Sequence, residues 1–318
     1  MLDKSMAQEA MTIVVPVKDR ATLVLKTLNS IKGQTWRPLK LIVVDNNSTD
    51  GTPESVARWI ESNREEGFEA SLLSETTPGP SAARNAGLQD VDTRLVMFFD
   101  SDDIMQPGHV ESIMRRFHAD DEPDLVTFRV RYHLINGSDR ITKKGRSNAM
   151  LTQLCNAHMC TAGFACETAL ARRAGGWDEA LSCWVDLEYG TRLLLEARRR
   201  ASIDDVNVDV YARADSVTGT EFTSRRGQWE KALDKIAVNF EKSRHKERER
   251  WAKVLAYRKA ILASAYRKEN NREAAEALLN EALSLPSLNF IQRLYINLAY
   301  RCTALGIRGT AIPLRLFF

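Results

Sequence analysis

The sequence has no long apolar run, little cysteine and no low-complexity tract. Its longest strand-like apolar pieces, residues 12–15 and 95–99, are far shorter than the roughly 20 residues that a membrane-crossing helix needs. Residues 1–10 include three charged side chains and lack the apolar core of a signal peptide. Five scattered cysteines do not suit a disulfide scaffold and favour reduced thiols. We therefore expect a cytoplasmic protein that does not span a membrane.

The composition that remains is typical of a globular chain of about two domains. The chain has 318 residues, of which 44% are hydrophobic and 27% charged, and domains usually contain about 100–200 residues. The net charge of +3 conceals an asymmetry. Residues 1–220 have 26 basic and 32 acidic side chains, whereas residues 221–318 have 19 and 10. The opposite signs predict that the two regions have different tasks.

The first region alternates short apolar runs with amphipathic stretches, which is typical of βαβ units on a mostly parallel sheet. Predicted strands are residues 12–17, 39–44, 68–73 and 95–99, and predicted helices between them are 23–31, 53–60 and 80–88. From residue 227 only helical periodicity remains, in residues 228–240, 247–268, 272–285 and 288–305. We therefore expect an α/β domain over 1–220, followed by a basic helical region over 221–318 that includes one tetratricopeptide-like hairpin.

Acidic side chains follow two of the strongest predicted strands. Asp45 ends one strand, and Asp100, Asp102 and Asp103 follow another with Ser101 between them. Ligands bind beyond the carboxyl ends of strands in open α/β sheets, and carboxylates suit Mg²⁺ or Mn²⁺, which complete their shells with substrate phosphates. The cluster therefore predicts a divalent ion and a diphosphate. An acidic helix N-terminus and, for Asp45, a simple Asx turn are the alternatives.

A short helix with small side chains precedes the acidic strand. Residues 79–87 include Arg84 and Asn85 among alanine, serine and glycine. The guanidinium of Arg84 can face a diphosphate or pair with one of the carboxylates, and both interpretations stay open.

Six segments in a fixed order resemble the family 2 glycosyltransferases, which have a GT-A fold. They are residues 14–20 (VVPVKDR), 34–35 (QT), 43–52 (VVDNNSTDGT), 81–87 (SAARNAG), 98–103 (FFDSDD) and 174–181 (AGGWDEAL). Each segment alone is a weak signal, but their shared order over about residues 11–220 leaves little room for chance. The resemblance implies a Rossmann-like GT-A domain that binds a nucleotide-sugar donor and transfers the sugar with inversion.

The resemblance also implies roles for individual residues. The nucleotide would be bound by Pro16, Val17, Asp19, Asp45, Asp100 and Ser101, with Asp100 on the ribose. Asp102, together with Asp100, would hold a Mn²⁺ or Mg²⁺ ion that bridges the two phosphates. Arg84 and Arg213 would face the diphosphate. Asp19 departs from the family pattern, because it replaces a common asparagine.

The expected general base is Asp186, which matches the aspartate of the family's Glu-Asp pair. Val185 stands where the family usually has glutamate, so that pair is incomplete. Glu188 is the second candidate base, and a solvated helix position is the more ordinary interpretation of it. Trp184 suits either stacking on an acceptor sugar or a place in the core.

The basic helical region admits two main interpretations. Arg225, Arg226 and residues 242–250 concentrate positive charge, and residues 307–318 combine large apolar side chains with arginine. Such a surface is either solvated or suited to contact an anionic membrane. No nucleic-acid motif accompanies the charge, so we expect no nucleic acid as partner.

Together these patterns predict a metal-dependent inverting glycosyltransferase, cytoplasmic or peripheral at the cytoplasmic membrane face. Its expected donor is a nucleotide diphosphate sugar, with a UDP-sugar favoured. Its expected acceptor is a saccharide or lipid-linked saccharide in cell-surface polysaccharide or glycolipid assembly. The alternatives are a nucleotidyltransferase, which would release pyrophosphate, and a non-catalytic helical scaffold. Residues 16–20 contain no glycine, which disfavours the nucleotidyltransferase.

Overall fold

The computed structural model describes residues 9–142, 148–213, 221–307, 309–311 and 314–318. Its contacts divide these residues into two compact units. The first contains residues 9–142 and 158–213, and the second contains residues 148–157 together with those from 221 onward. Thus the second unit also takes residues 148–157 from within the first region of the sequence. The expected boundary near residue 220 falls in 214–220, outside the described residues.

A mixed, mostly parallel sheet forms the centre of the first unit. Its strands are β1 (Met11–Val17), β2 (Leu39–Asp45), β3 (Phe68–Ser74), β4 (Leu95–Phe98), β5 (Ile104–Met105), β6 (Leu125–His133), β7 (Asp139–Ile141), β8 (Phe164–Glu167) and β9 (Arg200–Tyr211). Across the described residues the order is β3-β2-β1-β4-β8-β6-β9-β5, with β7 paired to β6. The first four strands are mutually parallel, and β8 runs antiparallel to β4 and β6.

Helices cover both faces of this sheet. They are α1 (Val24–Lys32), α2 (Thr52–Ser62), α3 (Pro80–Asp90), α4 (His109–Phe117), α6 (Thr168–Arg173) and α7 (Val185–Glu196). Because both faces are covered, β1 and β4 are buried along their whole length. The predicted α/β class and the seven predicted elements are confirmed, each to within one or two residues at its ends.

Gly87 lets α3 lie close to the sheet. A Cβ atom at this position would be 2.4 Å from Cγ1 of Val14 and 3.2 Å from Cγ2 of Val44. A separation of 2.4 Å is well inside van der Waals contact, so any larger side chain would push the helix away from β1 and β2. Close packing here sets the position of α3, which presents Arg84 and Asn85.

The second unit is helical. Its helices are α5 (Ala149–Asn156), α8 (Gln228–Lys242), α9 (Arg248–Lys268), α10 (Arg272–Ser284), α11 (Phe290–Ala304) and α12 (Leu314–Phe317). The long helix α9 packs against α5, α8, α10 and α11. The predicted hairpin corresponds to α9 and α10, and the side chain of Asn271 caps α10 by accepting from the backbone N–H of Ala274 at 3.2 Å.

The end of the chain packs back onto this unit. The Phe317 ring stacks on Tyr295 with centroids 4.4 Å apart, and the Phe317 carbonyl accepts from Nε2 of Gln292 at 2.7 Å. Leu314 is buried. In the part of the chain that the structure describes, no helix has the length and apolar character needed to cross a bilayer.

Candidate active site

The loops that follow β1, β2 and β4 lie at one edge of the sheet. Val17 at the end of β1 is in register with Asp45 at the end of β2, and Val14 is in register with Phe98 at the end of β4. Because the three strands are parallel, residues 18–20, 45–51 and 100–103 emerge on the same side. The three predicted segments therefore lie at the same edge of the sheet, where the sequence predicts the ligand crevice.

The two carboxylate oxygens of Asp45 have different environments. The side chain is buried, and Oδ2 accepts from the backbone N–H of Ser48 at 3.2 Å, as an Asx turn requires. Oδ1 is also buried but has no hydrogen-bond partner. A buried acceptor without a donor costs about 1–3 kcal/mol. One oxygen therefore serves the turn, and the other suits an N–H or O–H donor of a ligand.

Asp19 connects the first loop to the second. Its backbone adopts the left-handed conformation with φ of 49°, its Oδ1 accepts from the Thr49 N–H at 2.7 Å, and its own N–H donates to Oγ of Ser48 at 2.9 Å. These bonds give Asp19 a structural role beside the crevice. Pro16 and Val17 are buried at the end of β1 next to this loop. Their contact with a nucleotide stays a prediction.

Three arginines surround the acidic cluster after β4. Arg84 Nη2 lies 2.7 Å from Asp100 Oδ1. Arg213 Nε lies 3.2 Å and Arg20 Nη2 4.0 Å from Asp102 Oδ2. Burial and the neighbouring Asp100 charge nevertheless raise the pKa of Asp102, and together they outweigh the two guanidinium groups. Additional positive charge would therefore stabilise the ionised carboxylates of this cluster.

Asp103 differs from its neighbours because it is buried and used by the fold. Its Oδ1 accepts from the backbone N–H of Tyr211 at 3.2 Å, and its carbonyl accepts from Oγ1 of Thr27 at 2.8 Å. Burial, followed by the charges of Asp100 and Asp102, raises its pKa well above the usual range. Asp103 therefore anchors the end of β9 close to Arg213. Ser101 is half-buried in the turn between the carboxylates.

The donor set fits a divalent ion that is bound mainly by substrate. The carboxylates of Asp100 and Asp102 are 36% and 23% exposed, and their hard oxygens suit Mg²⁺ or Mn²⁺. Among the described residues no group of three or more His, Cys, Asp or Glu side chains converges on an ion site. An ion here would therefore be held by one or two carboxylates and would rely on phosphate oxygens and water for its remaining ligands.

Arg84 takes one of the two orientations that the sequence left open, because it pairs with Asp100. Its guanidinium also lies over the Trp177 ring, 4.5 Å from the centroid. The side chain is buried, and Nε and Nη1 have no hydrogen-bond partner. Arg84 thus combines an ion pair with two buried donors.

Asp186 lies in the first turn of α7. The helix is preceded by Trp184, which has a left-handed backbone with φ of 49°. Oδ1 of Asp186 accepts from the backbone N–H of Leu187 at 2.8 Å. Burial raises the pKa of Asp186 to about 6, although the Leu187 N–H and the charge of Arg84 lower it; the Asp100 charge adds to the increase. Arg84 and Asp100 are thus near enough to affect the pKa of Asp186. A carboxylate with this pKa suits general base catalysis near neutral pH.

Glu188 is not a solvated helix residue, so that interpretation is wrong. It is 1% exposed, and both its oxygens bind Arg192, at 2.6 and 2.7 Å. Arg192 in turn donates from Nη1 to the Gly176 carbonyl at 2.6 Å and to the Ala174 carbonyl. With both oxygens held by Arg192, Glu188 is also poorly suited to be the base. Its ion pair instead positions the segment that precedes α7.

Asn85 is a site residue whose role the sequence did not predict. Its Oδ1 accepts from the Trp177 N–H at 2.7 Å, and its Nδ2 donates to the Trp177 carbonyl at 2.9 Å. A Cβ at Gly176, which has φ of 67°, would lie 2.7 Å from Asn85 Oδ1. Asn85 therefore links α3 to the segment before α7. The only signal for it was its place beside Arg84 in residues 81–87.

Residues 155–160 (CNAHMC) bring two cysteines and a histidine close together in the sequence, but no metal site forms there among the described residues. None of the five cysteines forms a disulfide, and burial raises the pKa of Cys160 to about 12. His158 is buried with both ring nitrogens unpaired, and burial lowers its pKa to about 4. These side chains are neutral members of the core rather than ligands.

The first part of the chain matches a known protein family. The Glycosyl transferase family 2 profile matches residues 12–167, which contain the first five of the six segments. The chain carries a family 2 glycosyltransferase domain. The resemblance that the segments predicted is thereby confirmed.

Curated relatives of this glycosyltransferase domain are distant and longer. A pre-mycofactocin glycosyltransferase of Mycobacterium tuberculosis is 29% identical over 58% of this chain and 40% of its own length. A GalNAc(5)-diNAcBac-PP-undecaprenol beta-1,3-glucosyltransferase of Campylobacter jejuni is 29% identical over 33% of this chain and 34% of its own. The chain therefore spans well under half the length of these relatives.

Solved structures confirm the GT-A type of fold for the glycosyltransferase domain and the helical region after it. The S. aureus protein TarS 1-349, solved in complex with UDP-GlcNAc, superposes with a TM-score of 0.65 at 16% identity, over 96% of this chain and 92% of that chain. A mannosyltransferase from Pyrobaculum calidifontis, in complex with GDP-Man and Mn²⁺, gives 0.56 at 20% identity, over 96% and 86%. At such identities the likeness concerns the fold alone.

Proposed function

We propose that the protein is an inverting glycosyltransferase that moves a sugar from a nucleoside diphosphate to a saccharide hydroxyl. The observation that carries this proposal is Asp186, a carboxylate in the first turn of α7 whose pKa is raised to about 6 and is affected by the charges of Arg84 and Asp100. A base, a cation and an acidic cluster at the carboxyl edge of a GT-A sheet are what a direct displacement needs. The family match over residues 12–167 supports the same reaction class.

The nucleotide would occupy the side of the crevice next to β2. Asp45 Oδ1 is a buried acceptor without a donor, and it suits an N–H of a base or a ribose hydroxyl. Pro16, Val17, Asp19 and Ser101 would form the adjoining wall. We favour a UDP-sugar, since TarS was solved with UDP-GlcNAc, while the GDP-Man in the Pyrobaculum structure marks the main alternative.

Asp100 and Asp102 would hold Mn²⁺ or Mg²⁺ at the diphosphate. When bound, such an ion supplies positive charge against the negative charge that develops on the leaving diphosphate. The Mn²⁺ in the Pyrobaculum mannosyltransferase structure supports this assignment. Arg84 and Arg213 would add fixed positive charge on the protein side.

The reaction follows as a single displacement. The Asp186 carboxylate takes the proton of the acceptor hydroxyl, and the acceptor oxygen forms a bond to the anomeric carbon. The bond from that carbon to the phosphate oxygen breaks on the opposite face, so the electron pair leaves with the nucleoside diphosphate and the configuration inverts. Base catalysis of this kind contributes about 10²- to 10⁴-fold. Val185 leaves Asp186 without the acidic neighbour that the family usually has.

The names of two relatives support the acceptor class and the cellular role that we propose. The name of the Campylobacter relative includes PP-undecaprenol, which supports a lipid-linked saccharide as acceptor here. A minor teichoic acid biosynthesis protein of Bacillus subtilis, 24% identical over 60% of this chain and 45% of its own length, supports a role in cell-surface polymer assembly. We infer a cytoplasmic enzyme that works at the inner membrane face.

The substitution Asp186→Asn tests the proposal. We expect transfer to fall by about 10²-fold or more, because an amide cannot accept the proton, while UDP binding by calorimetry changes little. Asp90→Asn, at an exposed position at the end of α3, is the matched control and should retain both.

Equal loss of transfer and of UDP binding in Asp186→Asn would contradict the role of base. Release of pyrophosphate from a nucleoside triphosphate, instead of nucleoside diphosphate from a nucleotide sugar, would identify a nucleotidyltransferase. A control variant that loses activity in parallel would show that the assay reports folding rather than proton transfer.

A further inference from the structure

The outer face of α11 exposes a row of large apolar side chains. At 3.6 residues per turn these positions fall on one side of the helix and continue just past its end. We call this surface the α11 stripe. Its apolar members, with exposed fractions, are Phe290 (79%), Ile291 (59%), Leu294 (60%), Leu298 (57%) and Leu305 (82%).

The opposite side of α11 is already occupied by the helical unit. Tyr295, Ile296 and Ala299 are buried against it. The α11 stripe is therefore a second apolar face on a helix whose first face is packed. Single exposed apolar side chains are ordinary, but a contiguous row of five marks a surface that contacts another phase or molecule.

The sequence segment that contains the α11 stripe has charged side chains of one sign only. Residues 282–318 contain four arginines and neither aspartate nor glutamate. Exposed Arg301 lies on the stripe itself, between Leu298 and Leu305. An apolar helix face with arginine and no carboxylate matches the requirements of an anionic lipid interface, where apolar side chains enter the acyl boundary and cations meet headgroups.

We propose that the α11 stripe docks the protein on an anionic lipid surface. A second copy of the chain fits less well, because a twofold contact places the same patch against itself. Arg301 would then approach its own copy while residues 282–318 offer no carboxylate to neutralise it. Charge complementarity therefore favours phosphate headgroups.

The α11 stripe replaces the chain end as the source of apolar contact. Residues 307–318 were one candidate for membrane contact, with a solvated surface as the alternative, but the Phe317 ring is stacked on Tyr295 and Leu314 is buried. The surface on α11 needs no rearrangement to meet a lipid. It is independent of the catalytic assignment, because it depends on none of the crevice residues.

Vesicle co-sedimentation of the full chain tests this proposal. The probe is phosphatidylcholine vesicles with and without phosphatidylglycerol. We expect the unaltered protein to bind the anionic vesicles. L294S/L298S should bind at least about tenfold more weakly, because each substitution removes the favourable free energy of moving a leucine side chain from water into the lipid interface. R301Q should weaken binding about fivefold, and added salt should weaken it further.

Ile135→Ser is the matched control, because Ile135 is 67% exposed but lies in the first unit. It should bind like the unaltered protein, and all variants should keep the same thermal unfolding midpoint and the same transfer to a soluble acceptor. Equal sedimentation of L294S/L298S and the unaltered protein overturns the proposal. Concentration-dependent dimers that L294S/L298S abolishes, without vesicle binding, overturn it in favour of a protein interface.

Discussion

At the residue scale, the site separates carboxylates by their surroundings. Asp103 is buried and bonded to the backbone of β9, Asp102 is partly exposed and near two arginines, and Asp186 is a helix residue with its pKa raised to about 6. The same chemical group thus serves as a structural anchor and, in our proposal, also as a metal ligand and as a proton acceptor. Burial and neighbouring charge, rather than residue type, make the distinction.

The raised pKa of Asp186 predicts a pH dependence. A base must be ionised to accept a proton, so kcat/KM should be constant above its pKa of about 6 and should fall tenfold per pH unit below it. The profile is measured with donor saturation held constant. A profile with no loss between pH 7 and pH 5 would contradict Asp186 as the base.

His133 supplies the control for this profile. It pairs with Asp209 and Asp139 at 2.9 Å each, and the bond to Asp209, followed by that to Asp139, raises its pKa above the usual 6.5. Its titration therefore begins at a higher pH than that of Asp186. In His133→Asn the acidic limb near pH 6 should persist, and its disappearance would assign the limb to the histidine.

The sequence suggested the residues of the proposed site but not the contacts that several of them make. The motifs named Asp45, Asp100, Asp102 and Asp186, and the fold brings their loops or charges together. The spacing of Glu188 and Arg192 is that of a helical ion pair, yet their burial depends on packing of α7 that no local pattern contains. The unpaired oxygen of Asp45 likewise depends on distances between separate loops.

At the element scale, the helices and strands were largely predictable from periodicity. Each predicted strand of the parallel half of the sheet and each long helix of the second unit occurs within a few residues of its expected bounds. Strands β6, β8 and β9 were not predicted, because they follow no recognised motif and β9 alternates exposed and half-buried positions. Their pairing is decided by long-range contacts.

Gly87 predicts a measurable element-scale effect. Gly87→Ala would place Cβ 2.4 Å from Val14 Cγ1 and should lower the free energy of unfolding by about 1–3 kcal/mol, as overpacking typically does. Gly108→Ala is the control, because a Cβ there meets nothing within 4 Å and its φ is −85°. Urea unfolding measures both, and equal stability of the two variants would contradict close packing of α3 on the sheet.

At the scale of the whole molecule, the near-neutral net charge is the sum of an acidic and a basic region. Part of the acidic excess lies in the cluster after β4, where burial and mutual repulsion raise the pKa of Asp102. A bound cation would lower that repulsion. Binding of a cation to this cluster should therefore raise the thermal stability of the first unit.

Thermal shift measures this stabilisation. UDP with Mn²⁺ should raise the unfolding midpoint more than UDP or Mn²⁺ alone, because a ligand that binds only the folded state stabilises it. Asp102→Asn should remove the metal-dependent part and retain a smaller shift with UDP alone. Identical shifts with and without Mn²⁺ in the unaltered protein would contradict a metal at Asp100 and Asp102.

Helix α5 belongs to the helical unit, although residues 158–213 of the first unit follow it in the sequence. Its carbonyl at Cys155 accepts from Arg258 Nη1 of α9 at 3.0 Å, so the helical unit holds the chain both before residue 158 and after residue 220. The segment between these points is a closed loop without a covalent crosslink. Closing a loop removes conformational entropy from the chain. The contact between α5 and α9 thus lowers the conformational entropy of the unfolded residues between them, which include Asp186.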